Sequence, residues 1–314
     1  MKCLVTGATG FIGSRLVPHL EQLGHEVVAL SRLGGTLPTG QLTHAVDLSA
    51  SEISQHLLEG VDVVLHLAGI AHQSASAEAY RRVNVDSTRE LAKSAADSGV
   101  ACFIFLSSVK AMGAAATDQR RDESDLTDLL SEYGASKRAA EDALFEQTRK
   151  SSMSCVVLRP ALVYGPQPKG NLSHLARAVE LRIPCPPDYG RRSMVSLLAL
   201  LELFALLVSS PPSADFKRWI VCDDVGYSTA ELYQALVKIR GQSDSSSWLP
   251  LLGWRAACTF MDLISGDRAE PIFEKVFGTE LYANDAIKAE TGWQPVSRVS
   301  QWAQDVAEHR GWKA

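Results

Sequence analysis

The apolar positions of this chain fall into short unbroken runs separated by longer stretches of helical spacing. The runs at Cys3–Thr6, Glu26–Leu30, Val61–Leu67, Ala101–Leu106 and Ser154–Arg159 are strand-length and apolar enough to be covered on both faces. A shorter strand is expected at Thr43–Val46. Between the runs, Phe11, Ile12, Leu16, Leu20 and Leu23 share one helix face, and Tyr80, Val83, Ser87 and Leu91 share another. The pattern predicts helices at Phe11–Leu23, Ala77–Ser98 and Glu132–Arg149, the first two closed by Gly24 and Gly99. Strands alternating with helices of this length make an α/β chain: a doubly wound parallel sheet with helices on both faces.

Beyond Pro166 the pattern changes. Pro and Gly cluster at Gln167–Gly170 and Pro184–Gly190, a helix is expected at Leu197–Val208, and one more strand at Arg218–Cys222. This divides the chain into a sheet domain, residues 1–166, and a smaller lobe over the mouth of the sheet, residues 167–314. Segments from about 195 to 225 are expected to return to the sheet domain. Leu197–Val208 and Trp248–Gly266 are very apolar, but the first is short and carries Glu202. The second is broken by Pro250, Gly253, Arg255 and Asp262. Neither reaches the ~20 apolar residues of a membrane span; the second reads as a packed helix, with contact to a membrane surface or a partner as the alternative.

Composition narrows the partners. The 314 residues carry a formal net charge of −5, with no basic block, so nucleic acid is not an expected partner. Six cysteines lie far apart with no CxxC pair, which fits small apolar residues in a reducing cytoplasm and calls for no metal site. The N-terminus enters a glycine turn at once and does not read as a signal peptide.

That turn carries the first chemistry. Gly7, Gly10 and Gly13 follow the first strand at a spacing of three and open a helix. Such a turn lets backbone approach a diphosphate, which the helix N-terminus favours electrostatically. The second strand ends at Ser31-Arg32 with no acid. An acid there binds the ribose hydroxyl of NAD, whereas an Arg suits the 2′-phosphate of NADP. Tyr133 and Lys137 are one helical turn apart, so the ammonium can lower the phenol pKa and make a general acid or base.

Thr6-Gly7-Ala8-Thr9-Gly10-Phe11-Ile12-Gly13, His66-Leu67-Ala68-Gly69, Asn84, Leu106-Ser107-Ser108, Tyr133 with Lys137, and Arg159 to Pro166 together resemble the extended short-chain dehydrogenase/reductase family, in its nucleotide-sugar epimerase/dehydratase/reductase branch. The likeness implies a Rossmann sheet with a substrate lobe. It implies that Gly7, Gly10, Phe11, Ile12 and Gly13 hold the cofactor pyrophosphate, that Asp47 and Leu48 line the adenine, and that Leu67, Ala68 and Gly69 pass under the cofactor. Ser31, Arg32, Asn84, Ser107, Pro160 and Val163 complete the cofactor surface. Ser108, Tyr133 and Lys137 would be catalytic, Lys137 also binding the nicotinamide ribose. Asn171, Leu172 and Arg192 would grip the diphosphate of a UDP-sugar, beside Ser108 and Tyr133. A homodimer through the helices at 77–98 and 132–149 is implied as well.

Departures from the branch shape the expected reaction. Val109-Lys110 stands where the dehydratases carry Asp-Glu, which argues against dehydration. Leu162 stands where the epimerases tend to have Asn, and Ala199 replaces the usual Asp or Asn of the returning helix. With Ser31-Arg32, these point to an NADP-preferring reductase of a UDP-linked 4-keto-6-deoxy sugar. The alternative is a UDP-hexose or UDP-N-acetylhexosamine 4-epimerase using bound NAD. A non-catalytic NADP-binding sensor is a third reading, disfavoured because Tyr133 and Lys137 are both present.

Overall fold

The structure, a computed structural model, describes residues 1–50, 53–71, 75–114, 119–167, 171–213, 216–242, 249–265, 271–295 and 298–302. Its strands are β1 (Lys2–Thr6), β2 (Glu26–Ser31), β3 (Gly35–Thr36), β4 (Leu42–Ala45), β5 (Val63–His66), β6 (Cys102–Leu106), β7 (Ser154–Pro160), β8 (Leu162–Tyr164), β9 (Arg192–Ser196), β10 (Phe216–Val221) and β11 (Gly226–Tyr227). Its helices are α1 (Gly13–Gln22), α2 (Ala77–Tyr80), α3 (Ser87–Asp97), α4 (Glu132–Thr148), α5 (Asn171–Glu180), α6 (Leu197–Ser209), α7 (Thr229–Ile239), α8 (Leu251–Ser265), α9 (Ile272–Phe277) and α10 (Asp285–Thr291).

Eight strands form one sheet in the order β10-β7-β6-β5-β1-β2-β4-β3, parallel except for β3 against β4. The apolar runs explain it. Along β1, Cys3 and Val5 face one core while Leu4 faces the other, and β5, β6 and β7 divide their residues the same way. One core is closed by Leu16, Val17 and Leu20 of α1 with Leu200, Leu203, Phe204 and Leu207 of α6. The other is closed by Leu91, Ala92 and Ala95 of α3 with Ala140 and Leu144 of α4. Each buried Leu or Phe contributes about 1.5–3 kcal/mol against the entropy of ordering the chain.

The order of strands reverses at β1: the chain steps from β1 to β2 on one side and to β5 on the other. Thr6 and His66 are register partners at the C-terminal ends of that gap. Ligands of open α/β sheets bind in this crevice. Above it lies a second, three-stranded sheet, β11-β9-β8, packed with α5 and α7 around Tyr164, Leu172, Tyr227, Leu232, Tyr233 and Trp302.

Two departures from the sequence pattern matter. The helix expected at Ala77–Ser98 is interrupted by a π turn at Arg81–Asp86. Among its described residues, the apolar stretch expected to pack buries Cys258 fully and Leu249, Leu251 and Trp254 partly. Leu252, Phe260, Leu263 and Ile264 of α8 are 63–78% exposed, because the helix touches the body mainly through α9, where Trp254 meets Phe277 edge-on. No helix among the described residues is long and apolar enough to cross a membrane.

Candidate active site

The site grows from the end of β1. Gly7 takes φ +68°, and a Cβ there would lie 2.9 Å from the Ala68 nitrogen. The turn therefore needs glycine twice over, for its backbone angle and for its contact with the loop after β5. The N–H of Gly10 closes the turn onto the Gly7 carbonyl at 2.9 Å. The N-cap position, Ile12, has no side chain to offer, and the N–H groups of Phe11, Ile12 and Gly13 find no acceptor among the described residues. Orphaned donors at the positive end of α1, beside a strand crevice, fit a diphosphate.

A buried relay fixes the next loop. The N–H groups of Leu67 and Ala68 donate to Thr6 Oγ1 at 3.2 and 3.1 Å, so the Thr6 proton goes to His66 Nδ1 at 2.7 Å. His66 must then carry its proton on Nε2, which meets Thr88 Oγ1 at 2.9 Å, and Thr88 donates onward to the Asn84 carbonyl at 2.8 Å. Burial, aided by the Lys137 charge, pushes His66 down to about 3, so it stays neutral as the relay requires. Asn84, inside the π turn, accepts from the Ile70 N–H and donates to the Ile70 carbonyl and to Ser136 Oγ. Its amide is spent joining the loop to α4.

The expected catalytic trio does come together. Ser108 lies just past β6 and hydrogen-bonds the Tyr133 phenol near the start of α4. Lys137 Nζ donates to the Leu106 carbonyl at 2.9 Å and sits 4.5 Å from the centre of the Phe105 ring. A Cβ on Gly69 would lie 2.9 Å from Asn84 Oδ1 and 3.5 Å from the Lys137 ammonium, so the loop packs tightly on the Asn84 amide and directly beside that nitrogen. The expected lowering of the Tyr133 pKa by Lys137 is not found. Burial pushes the phenol up to about 12, with the Ser108 hydrogen bond opposing. Burial also pushes Lys137 down to about 8 against the pull of Glu141.

Other predicted residues are placed differently. Ser107 is buried, and its hydroxyl donates to Glu141 at 2.5 Å, away from the crevice. Ser31 is buried and bonded to Thr43 Oγ1 at 2.7 Å; Thr43 in turn donates to the Gly35 carbonyl, so Ser31 is the donor in that pair. Its hydroxyl joins β2 to β4. Arg32 is exposed, and its charge, after the two hydrogen bonds from Ser49, helps hold Asp47 below the usual carboxylate range. Leu48 packs partly into the core on the α3 side. Pro160 is buried at the end of β7, and Val163 packs partly against the α1–α6 core.

In the lobe, Leu172 is buried in the Tyr164–Trp302 cluster. Gly170 and the Asn171 side chain lie outside the described residues. Arg192 departs most from expectation. Its Nε donates to the Gly278 carbonyl at 3.1 Å, one Nη to Glu280 at 3.3 Å and the other to the Glu274 carbonyl at 2.5 Å. All three of these bonds lie within the lobe itself. Glu280 also takes Lys110 Nζ at 3.0 Å and the Tyr282 hydroxyl at 2.6 Å. Neither Glu141 nor Glu280 stood out in the sequence. Glu141 had a usable signal, an acid one turn beyond Lys137, whereas Glu280 had none.

This arrangement has counterparts in known proteins. The profile of the NAD dependent epimerase/dehydratase family matches residues 3–185. The chain is 32% identical to a UDP-glucose 4-epimerase of Vibrio cholerae, over 97% of this chain and 94% of that one. It is also 32% identical to a ceramide reductase of Caulobacter vibrioides, over 87% and 80% of the two chains. Among solved structures, MoeE5 in complex with UDP-glucose and NAD matches 98% of this chain and 99% of its own, with a TM-score of 0.75 at 23% identity, a likeness of fold. From its glycine turn to its Tyr–Lys helix, the chain belongs to the NAD dependent epimerase/dehydratase family.

Proposed function

We propose that the protein is an NAD-using 4-epimerase of a UDP-linked hexose or N-acetylhexosamine. The observation that carries this reading is the end-to-end match to the Vibrio cholerae UDP-glucose 4-epimerase, on a chain that keeps Ser108, Tyr133 and Lys137 gathered at the crevice. It ranks above the reductase expected from the sequence alone.

The roles follow from the geometry. The free N–H groups of Phe11, Ile12 and Gly13 bind the cofactor diphosphate, Asp47 and Leu48 edge the adenine, and Leu67 to Gly69 support the nicotinamide half. When bound, the cofactor supplies reversible hydride transfer at the sugar C4. Tyr133 moves the proton at the C4 oxygen, and Ser108 hydrogen-bonds the same oxygen. Lys137 offers a charged donor past Gly69 to the cofactor ribose. With the phenol pushed up to about 12 by burial, Tyr133 rests protonated in this structure; it must give up that proton before it can take one from the C4 hydroxyl, and it returns a proton to the C4 oxygen when the keto sugar is reduced again. A cationic ribose contact and a preorganised hydroxyl pair are the kind of fixed donors that dominate such catalysis. Asn171 and Leu172 at the start of α5 contact the UDP diphosphate, while Arg192 holds the lobe together. The protein works as a homodimer through α3 and α4, which sedimentation tests. Six free buried cysteines are in keeping with a reducing cytoplasm.

The test is to incubate pure protein with UDP-glucose or UDP-N-acetylglucosamine and resolve the 4-epimers. Conversion without net change at the reduced-cofactor absorbance band is expected. A second reading rests on Arg32, exposed at the end of β2 where NAD enzymes place an acid. Stoichiometric NADPH oxidation by a UDP-4-keto-6-deoxy-N-acetylhexosamine, with no epimer formed, would replace the epimerase by that reductase.

A further inference from the structure

We infer that Glu141 is a positioning residue: from beneath the crevice it holds Lys137 in its cationic form and fixes the Ser107-Ser108 strand end. The inference rests on the reading in which Lys137 and Ser108 serve cofactor and sugar.

Glu141 is one turn beyond Lys137 on α4 and wholly buried. Its carboxylate is faced by donors from two strands and the end of a third. Ser107, past the end of β6, donates at 2.5 Å. Arg159, in β7, donates through Nε at 3.1 and 3.2 Å and through Nη2 at 2.6 Å. Arg218, in the edge strand β10, places its Nε at 3.3 Å and reaches out to Asp142 at the surface. The cluster therefore spans the sheet from the catalytic helix to its edge.

Stability does not call for such a cluster. Well-packed apolar residues in place of a buried ion pair are commonly as stable or more so. Its position supplies the reason. Lys137 is faced by the Phe105 ring and the Leu106 carbonyl of β6, by His66 of β5, by Tyr133 and Glu141 of its own helix, and by Arg159 beyond Glu141. His66 is neutral and Tyr133 protonated, so Glu141 is the one anion among these groups. Burial drives Lys137 toward the uncharged amine, and Glu141 opposes it. The same carboxylate holds the Ser107 side chain while the Ser107 N–H binds the Leu158 carbonyl at 2.7 Å. Ser107 is thus pinned twice, and Ser108 leaves it in a defined direction.

The experiment compares wild type with Glu141→Gln, which keeps the shape and removes the charge. Two profiles are measured from pH 6 to 9.5: kcat/KM for the UDP-sugar and NADH affinity by fluorescence. The expected result is that the alkaline limb of both moves down by about one pH unit, with kcat/KM about tenfold lower at pH 8.5 and much less affected at pH 6.5. Profiles that superimpose on wild type, with only the thermal midpoint lowered, overturn the inference and leave Glu141 a structural residue. If Glu141→Gln does not fold, Ser107→Ala takes its place. It should lower kcat at unchanged KM, and an unchanged kcat overturns the inference. NADH binding separates the two levels of the argument: a wild type that binds NADH with this pH dependence but converts no UDP-sugar sinks the epimerase and not the role of Glu141.

Discussion

The crevice half of the molecule and the lobe above it use polar residues in opposite ways. Around β1 and β5 the polar side chains stand at strand ends, and their partners stand at neighbouring strand ends or on the next helix. Thr6, His66, Thr88 and Asn84 form one directional chain, fed at one end by the Leu67 and Ala68 N–H groups and ending at the Asn84 carbonyl. In the lobe, Arg192 is bound by residues 82 to 88 positions away, and Glu280 gathers Lys110 from 170 positions away. The first arrangement is the architecture of a site. The second ties segments together, with charges that look like ligands in the sequence.

The sharpest way to break this contrast is at the crevice. Tyr133→Phe should lower kcat by about 10²–10⁴-fold, the usual worth of a positioned acid or base, with NADH binding retained. A turnover number within tenfold of wild type would remove Tyr133 from the chemistry. Next in size are the ion pairs of the two regions. Arg159→Met leaves Glu141 buried without its main partner and should cost about 3–5 kcal/mol in urea unfolding. Lys110→Met breaks a pair whose lysine is 46% exposed and should cost no more than about 1 kcal/mol. Equal losses would mean the lobe is held by electrostatics as strongly as the crevice half.

The same contrast explains what the sequence made legible. Seven strands of the large sheet, all but the two-residue β3, together with α1, α4 and the Tyr133–Lys137 pair, are visible because each is specified locally, by an apolar run, a glycine turn or a one-turn spacing. Ser31 and Ser107 were assigned to a ligand because a serine at a strand end reads identically whether it faces outward or bonds to Thr43 or Glu141. Nothing near Arg192 announces that the carbonyls of Glu274 and Gly278 will reach it. The three-stranded sheet escaped notice because β8, β9 and β11 are short and paired across distant segments. The exposure of α8 was illegible because apolar content reports what a helix offers, not whether a partner element arrives to cover it.

Arg192 offers a test of intermediate size. If it is a tie within the lobe, Arg192→Met should destabilise by about 1–3 kcal/mol, the cost of orphaning two carbonyls and part of Glu280. KM for the UDP-sugar should then stay within about threefold, since the guanidinium contributes little to ligand binding. A KM raised tenfold or more on an undiminished unfolding midpoint would return Arg192 to the diphosphate.

The pH dependence is the effect most specific to the contrast, because it sets one buried titrating group from each region against the other. His66 in the crevice half is pushed down to about 3 by burial, so between that value and about 6.5 the unfolded chain binds a proton that the folded chain does not. Its contribution is full above 6.5 and is lost as pH falls. Asp223, between Tyr164 and Tyr227 at the lobe, is pushed up to about 7 by burial, although both tyrosines donate to it at 2.9 Å. Between about 4 and 7 the folded chain therefore holds a proton that the unfolded chain has released, and this contribution is lost as pH rises. Across pH 4.5–6.5 the two slopes oppose and nearly cancel. Asp223→Asn removes one of them. The variant should lose stability relative to wild type on going from pH 6.5 to 4.5, with a slope approaching ~1.4 kcal/mol per pH unit, read from urea midpoints. Parallel pH dependence of the two proteins would mean that Asp223 titrates near its unfolded value and that its burial in the lobe, unlike that of His66 in the crevice half, carries no cost.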